Sequence, residues 1–206
     1  MATVTISRGL GSMGDEVAQA VAARLGFRVV SRDLINQAAR RAGAPEMALA
    51  VIDDLGLLAI KPTRREQQAY RRAVEQVMSE LADAGGAVIV GRAGCAVLAG
   101  RAGVLHVRVT APETVRLRRV AAAADIDEEA AYARIQASDR NRATYLRRQY
   151  KVDWNDANLY DLIVNTAQLT PEMAGAVICR AFSFRQDETI VPHRDAGPNG
   201  ASPTER

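Results

Sequence analysis

The residues with the most chemical potential form one stretch near the start of the chain, Val4-Thr5-Ile6-Ser7-Arg8-Gly9-Leu10-Gly11-Ser12-Met13-Gly14-Asp15-Glu16. A short apolar run of β type ends in three glycines, and the Ala/Val periodicity from about Glu16 to Leu25 predicts a helix after it. Glycines let a backbone turn back and aim several N–H groups at one point, and the dipole of the following helix favours an anion there. The chemistry suggested is phosphate binding. A standard phosphate loop reads GxxxxGK[ST], its lysine reaching the β- and γ-phosphates and its hydroxyl meeting magnesium. Gly9 to Gly14 has that spacing, but Asp15 and Glu16 stand where the lysine and hydroxyl belong. Matching Gly11-Ser12 to a GSGK loop instead puts Gly14 in the lysine position. A tight β–α turn without ligand is the competing reading of this stretch.

Two further groups could act on the same phosphate. Gly91-Arg92-Ala93-Gly94 follows Ala87-Val88-Ile89-Val90, a wholly apolar run of the kind expected in a central strand buried on both faces. An arginine at the carboxyl edge of such a strand can grip a phosphate bidentately, or it can tie to a core carboxylate. From Asp127 to about Tyr150 the chain reads as one or two helices holding Arg134, Asp139, Arg140, Arg142, Arg147 and Arg148. Few aliphatic residues lie beneath them, which suits a surface flap of guanidinium groups able to neutralise a transferring phosphate. Asp33 follows a short strand, Phe27 to Val30, and precedes a helix from about Leu34 to Arg41. It can cap that helix or line the pocket at the strand's carboxyl end. His106 alternates with branched residues in the strand Val104 to Val109 and reads as a packed histidine.

The elements that must position these groups come in order along the chain. The segment from Ala44 to Thr63 is irregular, punctuated by Pro45, Gly56 and Pro62, and is expected to form short helices over the site. Arg64 to Ala84 reads as a long amphipathic helix, with Ala69, Val74, Val77, Met78 and Leu81 as its apolar stripe. Ala111-Pro112-Glu113 starts a helix bearing Arg116, Arg118 and Arg119. Tyr160 to Thr166 is the last strand and Pro171 to about Phe184 the last helix. Five short strands alternating with helices predict an α/β fold, a five-stranded parallel sheet with helices on both faces and ligands at the strands' carboxyl ends.

Composition sets the outer bounds. A chain of 206 residues that is 48% hydrophobic can bury one good core, so one domain over residues 1–185 is expected, with an arginine-rich flap near 127–155 and a disordered tail at 186–206. No apolar run approaches the length of a membrane span and no signal-peptide pattern opens the chain, so a soluble cytoplasmic protein is expected. Cys95 and Cys179 lack metal-type spacing and read as free thiols. The net charge of +3 admits an anionic partner, but at 4% aromatic content there is no stacking platform, and a nucleic-acid partner is not expected.

Taken together, these residues resemble the cytidylate kinase-like family, relatives of bacterial cytidylate kinase among the P-loop nucleoside monophosphate kinases. The resemblance covers roughly residues 2 to 183. It rests on Ile6-Ser7-Arg8 with Gly11-Ser12-Met13-Gly14, where the family pattern is SRxxGSGG, and on Val90-Gly91-Arg92. It rests also on Val109-Thr110-Ala111-Pro112-Glu113 leading to Arg116 and Arg119, on Asp139-Arg140-Asn141-Arg142-Ala143, and on the strand from Tyr160 to Thr166. The resemblance implies a three-layer P-loop fold with an arginine-rich helical lid, and ATP-dependent phosphoryl transfer to a nucleoside monophosphate, CMP or dCMP first. It implies that Gly9, Gly11, Ser12, Met13 and Gly14 cradle the ATP phosphates, with Mg2+ bridging them. By the same similarity Arg92 holds the acceptor phosphate, Asp139 and Arg142 contact the acceptor, and Arg140 is a lid arginine. Asp33 is a further candidate at the acceptor site. Arg8 could replace the charge of the loop lysine, and Asp15, Glu16 or Asp33 could hold the metal. A kinase of another small metabolite on this fold, or a nucleotide-binding regulatory module, are the alternatives.

Overall fold

The computed structural model describes residues 2–41, 43 and 63–187. The expected short helices of 44–63 and the expected tail of 186–206 therefore fall almost wholly outside the described residues. Five strands, β1 (Thr3–Arg8), β2 (Arg28–Val30), β3 (Ala87–Val90), β4 (Val104–Thr110) and β5 (Leu162–Asn165), form one parallel sheet in the order β2-β3-β1-β4-β5. The helices are α1 (Gly14–Leu25), α2 (Arg32–Arg41), α3 (Arg64–Ala84), the single turn α4 (Gly94–Val97), α5 (Glu113–Ala124), α6 (Glu128–Tyr150) and α7 (Pro171–Asp187). This is the α/β three-layer fold expected from the alternation of strands and helices.

Side chains alternate across a strand with period two, so each buried strand feeds two cores. Val4, Ile6, Val88, Val90, Leu105, Val107 and Val109 join Val17, Ala18 and Val21 of α1 and Ile178 and Phe182 of α7 on one face. On the other, Val30, Ala87, Ile89 and Val104 pack with Ile35 and Ala39 of α2 and Tyr70, Val74 and Met78 of α3. Helix α3 starts where its sequence places a capping box: Thr63 Oγ1 accepts from Glu66 N at 3.2 Å, and Glu66 Oε2 accepts from Thr63 N at 2.7 Å. Those bonds hold the Glu66 carboxyl below its usual range.

The connections locate the site. From β1 the chain crosses by α1 to β2, two places away, and from β3 it passes over β1 to β4 on the far side. The winding direction reverses at β1, and the crevice beyond the carboxyl end of such a strand is where open α/β sheets bind ligands.

Some boundaries depart from the sequence reading. Helix α2 begins at Arg32, so Asp33 sits within its first turn rather than capping it, and Ser31 precedes the helix with its Oγ accepting from Leu34 N at 3.5 Å. The arginine-bearing segment is one continuous helix, capped by Asp127 accepting from Ala130 N at 2.7 Å. It is less bare than its composition suggests. Ala131 and Ile135 are buried with Val120 of α5, and Leu146 is buried with Trp154 and Tyr160. A few apolar residues spaced along its length suffice to seat it. No helix among the described residues is long and apolar enough to cross a membrane.

Candidate functional site

The glycine loop between β1 and α1 is held by its carbonyls. Gly9 O accepts from Ser12 N at 3.2 Å and from the buried Ser12 Oγ at 2.8 Å, Leu10 O from Arg116 Nη1 at 3.2 Å, Gly11 O from Arg119 Nη1 at 3.3 Å, and Ser12 O from Thr166 Oγ1 at 2.8 Å. In a trans peptide the N–H points opposite the C=O. With the Leu10 carbonyl held by Arg116 and the Ser12 carbonyl by Thr166, the N–H groups of Gly11 and Met13 point away from those two side chains. Gly11 and Met13 both take left-handed conformations, φ 77° and 59°, which the turn requires. A Cβ on Gly14 would stand 2.6 Å from Arg8 Cγ and closer still to Arg8 Cβ, so this position admits no side chain without displacing Arg8. A glycine loop ahead of a helix N-terminus is a backbone arrangement suited to an anion.

Arg8 crosses between two loops. Its Nη2 pairs with Asp15 Oδ1 at 3.1 Å, and its Nη1 lies 2.7 Å from where a Cβ on Gly91 would be. Asp15 thus turns toward a guanidinium, its side chain 70% exposed at the loop's mouth.

The second loop, Gly91 to Gly94, carries Arg92 in a left-handed conformation, φ 49°, with the residue only 7% exposed. The guanidinium carbon lies 5.9 Å from the ring centres of both Tyr70 on α3 and Tyr145 on α6, within cation–π range. Tyr70 is itself fixed by donating to Asn36 Oδ1 at 3.0 Å. Burial raises the Tyr145 phenol above its ordinary range, so it stays neutral beside the arginine.

These loops border two cavities. A small one of about 90 Å³, room for a phosphate group or several waters, is lined by Ser7, Arg8, Arg32, Arg92, Asn141, Arg142 and Tyr145 among others. A larger open groove of about 650 Å³ runs along Gly9, Gly11, Met13, Gly14, Asp15 and Glu16 to the apolar end of α5, Ala122 to Ala124. Arg8 and Arg142 line both.

The remaining site residues expected from sequence fall in different places. Asp139 accepts from Arg116 Nη1 at 2.7 Å and lies 3.7 Å from Arg142 Nη1. Arg142 also donates to Ser138 Oγ one turn back. Arg140 is exposed and lines neither cavity. Asp33 is exposed and pairs with Arg32 at 3.5 Å, so Arg32 rather than Asp33 reaches the small cavity. The tyrosines around Arg92, and the action of Arg116 and Arg119 on loop carbonyls, escaped the sequence reading. An apolar stripe does not reveal that Tyr70 faces an arginine, and the two α5 arginines look like any solvated helix face. Their recurrence at i and i+3, the spacing of a shared helix face, was the available signal.

His106 lies in β4 opposite Thr5 of β1. Its Nδ1 accepts from Thr5 Oγ1 at 2.7 Å and its Nε2 donates to Leu98 O at 3.2 Å, the tautomer being fixed because a carbonyl only accepts. Burial lowers its pKa from the ordinary 6.5, and it is a packed histidine, as its strand pattern predicts. Cys95 is buried and Cys179 half-buried, both free, with burial raising both thiols. Tyr160, which donates to the Trp154 carbonyl at 2.9 Å, is pushed up to about 12 by burial.

The family model described as the cytidylate kinase-like family matches residues 3–168. A cytidylate kinase of Natronomonas pharaonis is 27% identical over 194 residues, covering 92% of this chain and 95% of that protein. Among solved structures, an uncharacterised protein from Eubacterium ventriosum superposes with a TM-score of 0.70 at 18% identity, covering 89% of this chain and 99% of that one. The shikimate kinase of Acinetobacter baumannii in complex with shikimate gives 0.53 at 12% identity, covering 91% and 96%.

Proposed function

The chain belongs to the cytidylate kinase-like family, and from that premise we propose that it transfers the γ-phosphoryl group of ATP to a nucleoside monophosphate, with CMP or dCMP as the acceptor. The observation that carries this reading is the pair of arginines, Arg8 and Arg142, shared by a phosphate-sized cavity and a nucleotide-sized groove. The groove takes the triphosphate, its phosphates against the N–H groups of Gly11, Met13 and Gly14. The small cavity takes the acceptor phosphate against Arg92. The transferring group then passes between the shared arginines.

Phosphoryl transfer asks a protein for alignment and for neutralisation of charge spread over the equatorial oxygens, and little else. Arg142 faces both ligands from α6, and Arg8 reaches the junction from the end of β1. The two tyrosine rings flank the Arg92 guanidinium, 5.9 Å from its carbon, and a bidentate grip on phosphate uses the N–H edge of such a group. Asp139 lines neither cavity and acts through Arg116 and Arg142, which it contacts, and Arg140 is available to a bound nucleotide only from the solvent side.

Magnesium fits the donor set. It keeps most of its waters and takes one or two carboxylates plus substrate phosphates, and Asp15 and Glu16 supply hard oxygen ligands at the rim of the groove. When bound it would offset the β- and γ-phosphate charge. The Ser12 hydroxyl is turned inward to Gly9 O and takes no part.

The test is ADP release with Mg-ATP against CMP, dCMP, UMP, AMP, GMP and a no-acceptor control, with ATP binding measured alongside. Turnover of CMP and dCMP above the others is expected. ATP binding without turnover of any nucleotide would overturn the acceptor assignment, and no ATP binding would overturn the reading of the glycine loop.

A further inference from the structure

Arg116 lines neither cavity, yet it touches the machinery of both. Its side chain, 12% exposed, donates from one terminal nitrogen to Leu10 O in the glycine loop at 3.2 Å and to Asp139 Oδ2 on α6 at 2.7 Å. The same nitrogen stands 2.9 Å from where a Cβ on Gly9 would be, and the Arg116 carbonyl 2.8 Å from one on Gly11, so α5 presses directly on the back of the loop. Arg119, one turn further on, reaches Gly11 O at 3.3 Å but bonds Thr166 rather than α6. The bond from Arg116 to Asp139 thus ties the back of the loop to the helix that carries Arg142.

We propose that Arg116 is a positioning residue that transmits occupancy of the glycine loop to Asp139, so that donor binding pre-sets the acceptor-facing end of α6. The inference rests on the kinase reading of the two cavities. The physical step is polarisation along a chain of hydrogen bonds. An anion bound to the Gly11 N–H polarises the Leu10–Gly11 peptide and strengthens its carbonyl as an acceptor for Arg116. Arg116 is thereby held in the register in which it fixes Asp139, and Asp139 in turn lies beside Arg142 at 3.7 Å. Because Arg116 stands behind the loop rather than in the groove, a bound phosphate does not compete with Asp139 for it.

The experiment compares the unmodified chain with Arg116→Lys and Arg116→Ala. A lysine keeps the charge and guards against a variant that fails to fold, but its ammonium ends about one bond short of the Nη1 that bonds both Leu10 O and Asp139. Amide hydrogen exchange of residues 135–146 is followed without nucleotide and with a non-hydrolysable ATP analogue plus Mg2+. The affinity for CMP is measured in both states. In the unmodified chain the analogue is expected to slow exchange in this segment and to tighten CMP binding by about 5- to 150-fold, the usual span of coupling between sites. In both variants the analogue still binds, but the protection is lost and the tightening falls to within about twofold. A purely structural arginine would lower thermal stability while leaving the coupling ratio intact, and that result overturns the proposal. So does an unmodified chain that binds the analogue without any change in 135–146, which leaves the kinase reading standing. An unmodified chain that fails to bind the analogue overturns both.

Discussion

The two loops at the carboxyl ends of β1 and β3 are built on one backbone plan but present different groups. Each opens with a glycine whose N–H bonds a neighbouring strand, Gly9 N to Val109 O at 3.4 Å and Gly91 N to Ile6 O at 3.0 Å. Each closes a tight turn back to that glycine, through Ser12 N in one and Gly94 N in the other. Each enters its helix through a left-handed non-glycine residue, Met13 at φ 59° and Ala93 at φ 57°, with a glycine next in the chain. The difference is what the turn presents. The first loop has no cationic side chain, feeds a 12-residue helix, and has its carbonyls fixed by α5 and Thr166. The second feeds a helix of 4 residues, too short to offer a dipole, and carries its own buried arginine. On the proposed reading, the first would meet a polyphosphate through backbone amides and the second a single phosphate through one oriented guanidinium. One turn geometry thus presents backbone groups or a side chain, according to the length of the helix it feeds and the groups that prop it.

Replacing the arginine of the second loop should separate the two most sharply. Arg92→Ala is expected to lower phosphotransfer about 10²- to 10³-fold, the scale of a lost transition-state donor, with ATP affinity unchanged. Arg92→Lys should recover little, because a point charge lacks the fork. Steady-state kinetics with isothermal titration of the ATP analogue reads both effects, and equal damage to the two ligands would break the comparison.

The closing glycines test it next. A Cβ at Gly14 meets Arg8 well inside van der Waals contact, whereas a Cβ at Gly94 meets the Thr5 Cβ and methyl at 3.2 Å. Gly14→Ala should therefore displace Arg8 and weaken ATP binding by about tenfold or more. Gly94→Ala should chiefly cost stability, about 1–3 kcal/mol by overpacking, visible as a lower Tm with ATP affinity retained.

How far these features were legible differs by loop. The glycine pattern, the apolar run before Arg92 and the strand–helix alternation identified both loops and the fold, because they are local signals. The strand pattern also placed His106 correctly as a packed residue, since its neighbours are branched. What holds each loop was not legible. Arg116 and Leu10 are 106 positions apart, and Thr166 and Ser12 are 154 apart. The i, i+3 spacing of Arg116 and Arg119 says that they share a helix face, but not that the face meets the loop carbonyls. Asp33 stood beside the residue that reaches the cavity, because helix α2 starts at Arg32, ahead of its apolar pattern, and thereby turns Arg32 inward.

The smallest effect distinguishes the supports beneath the loops. His106 bonds Thr5, which lies under Gly94, and Leu98 at the end of α4, so it props the second loop and not the first. Its folded pKa is lowered by burial, so the unfolded chain binds the extra proton first. Stability contributed by the neutral imidazole is complete above about pH 6.5 and declines as the pH falls below it, with a slope no steeper than about 1.4 kcal/mol per unit. Tm measured from about pH 8 down to about pH 5 should fall in that window, and the KM for the acceptor should rise there before the KM for ATP. His106→Gln should flatten both profiles.

The strand order has a consequence for how the chain comes into being. Strand β1 leaves the ribosome before the other four strands of the sheet, yet its partners are the distant β3 and β4, with Thr3 opposite Ala87 on one side and Val104 on the other. At about 5–20 residues per second the nascent β1 waits roughly 4–16 s for its first neighbour. Until then a strand of buried valine, isoleucine and threonine has both hydrogen-bonding edges open, and α1 has no sheet to pack on. The glycine loop is translated early in the domain but takes shape only after its more distal flank has been made. A pause or truncation before residue 110 would leave an edge-exposed, aggregation-prone fragment rather than a smaller working unit.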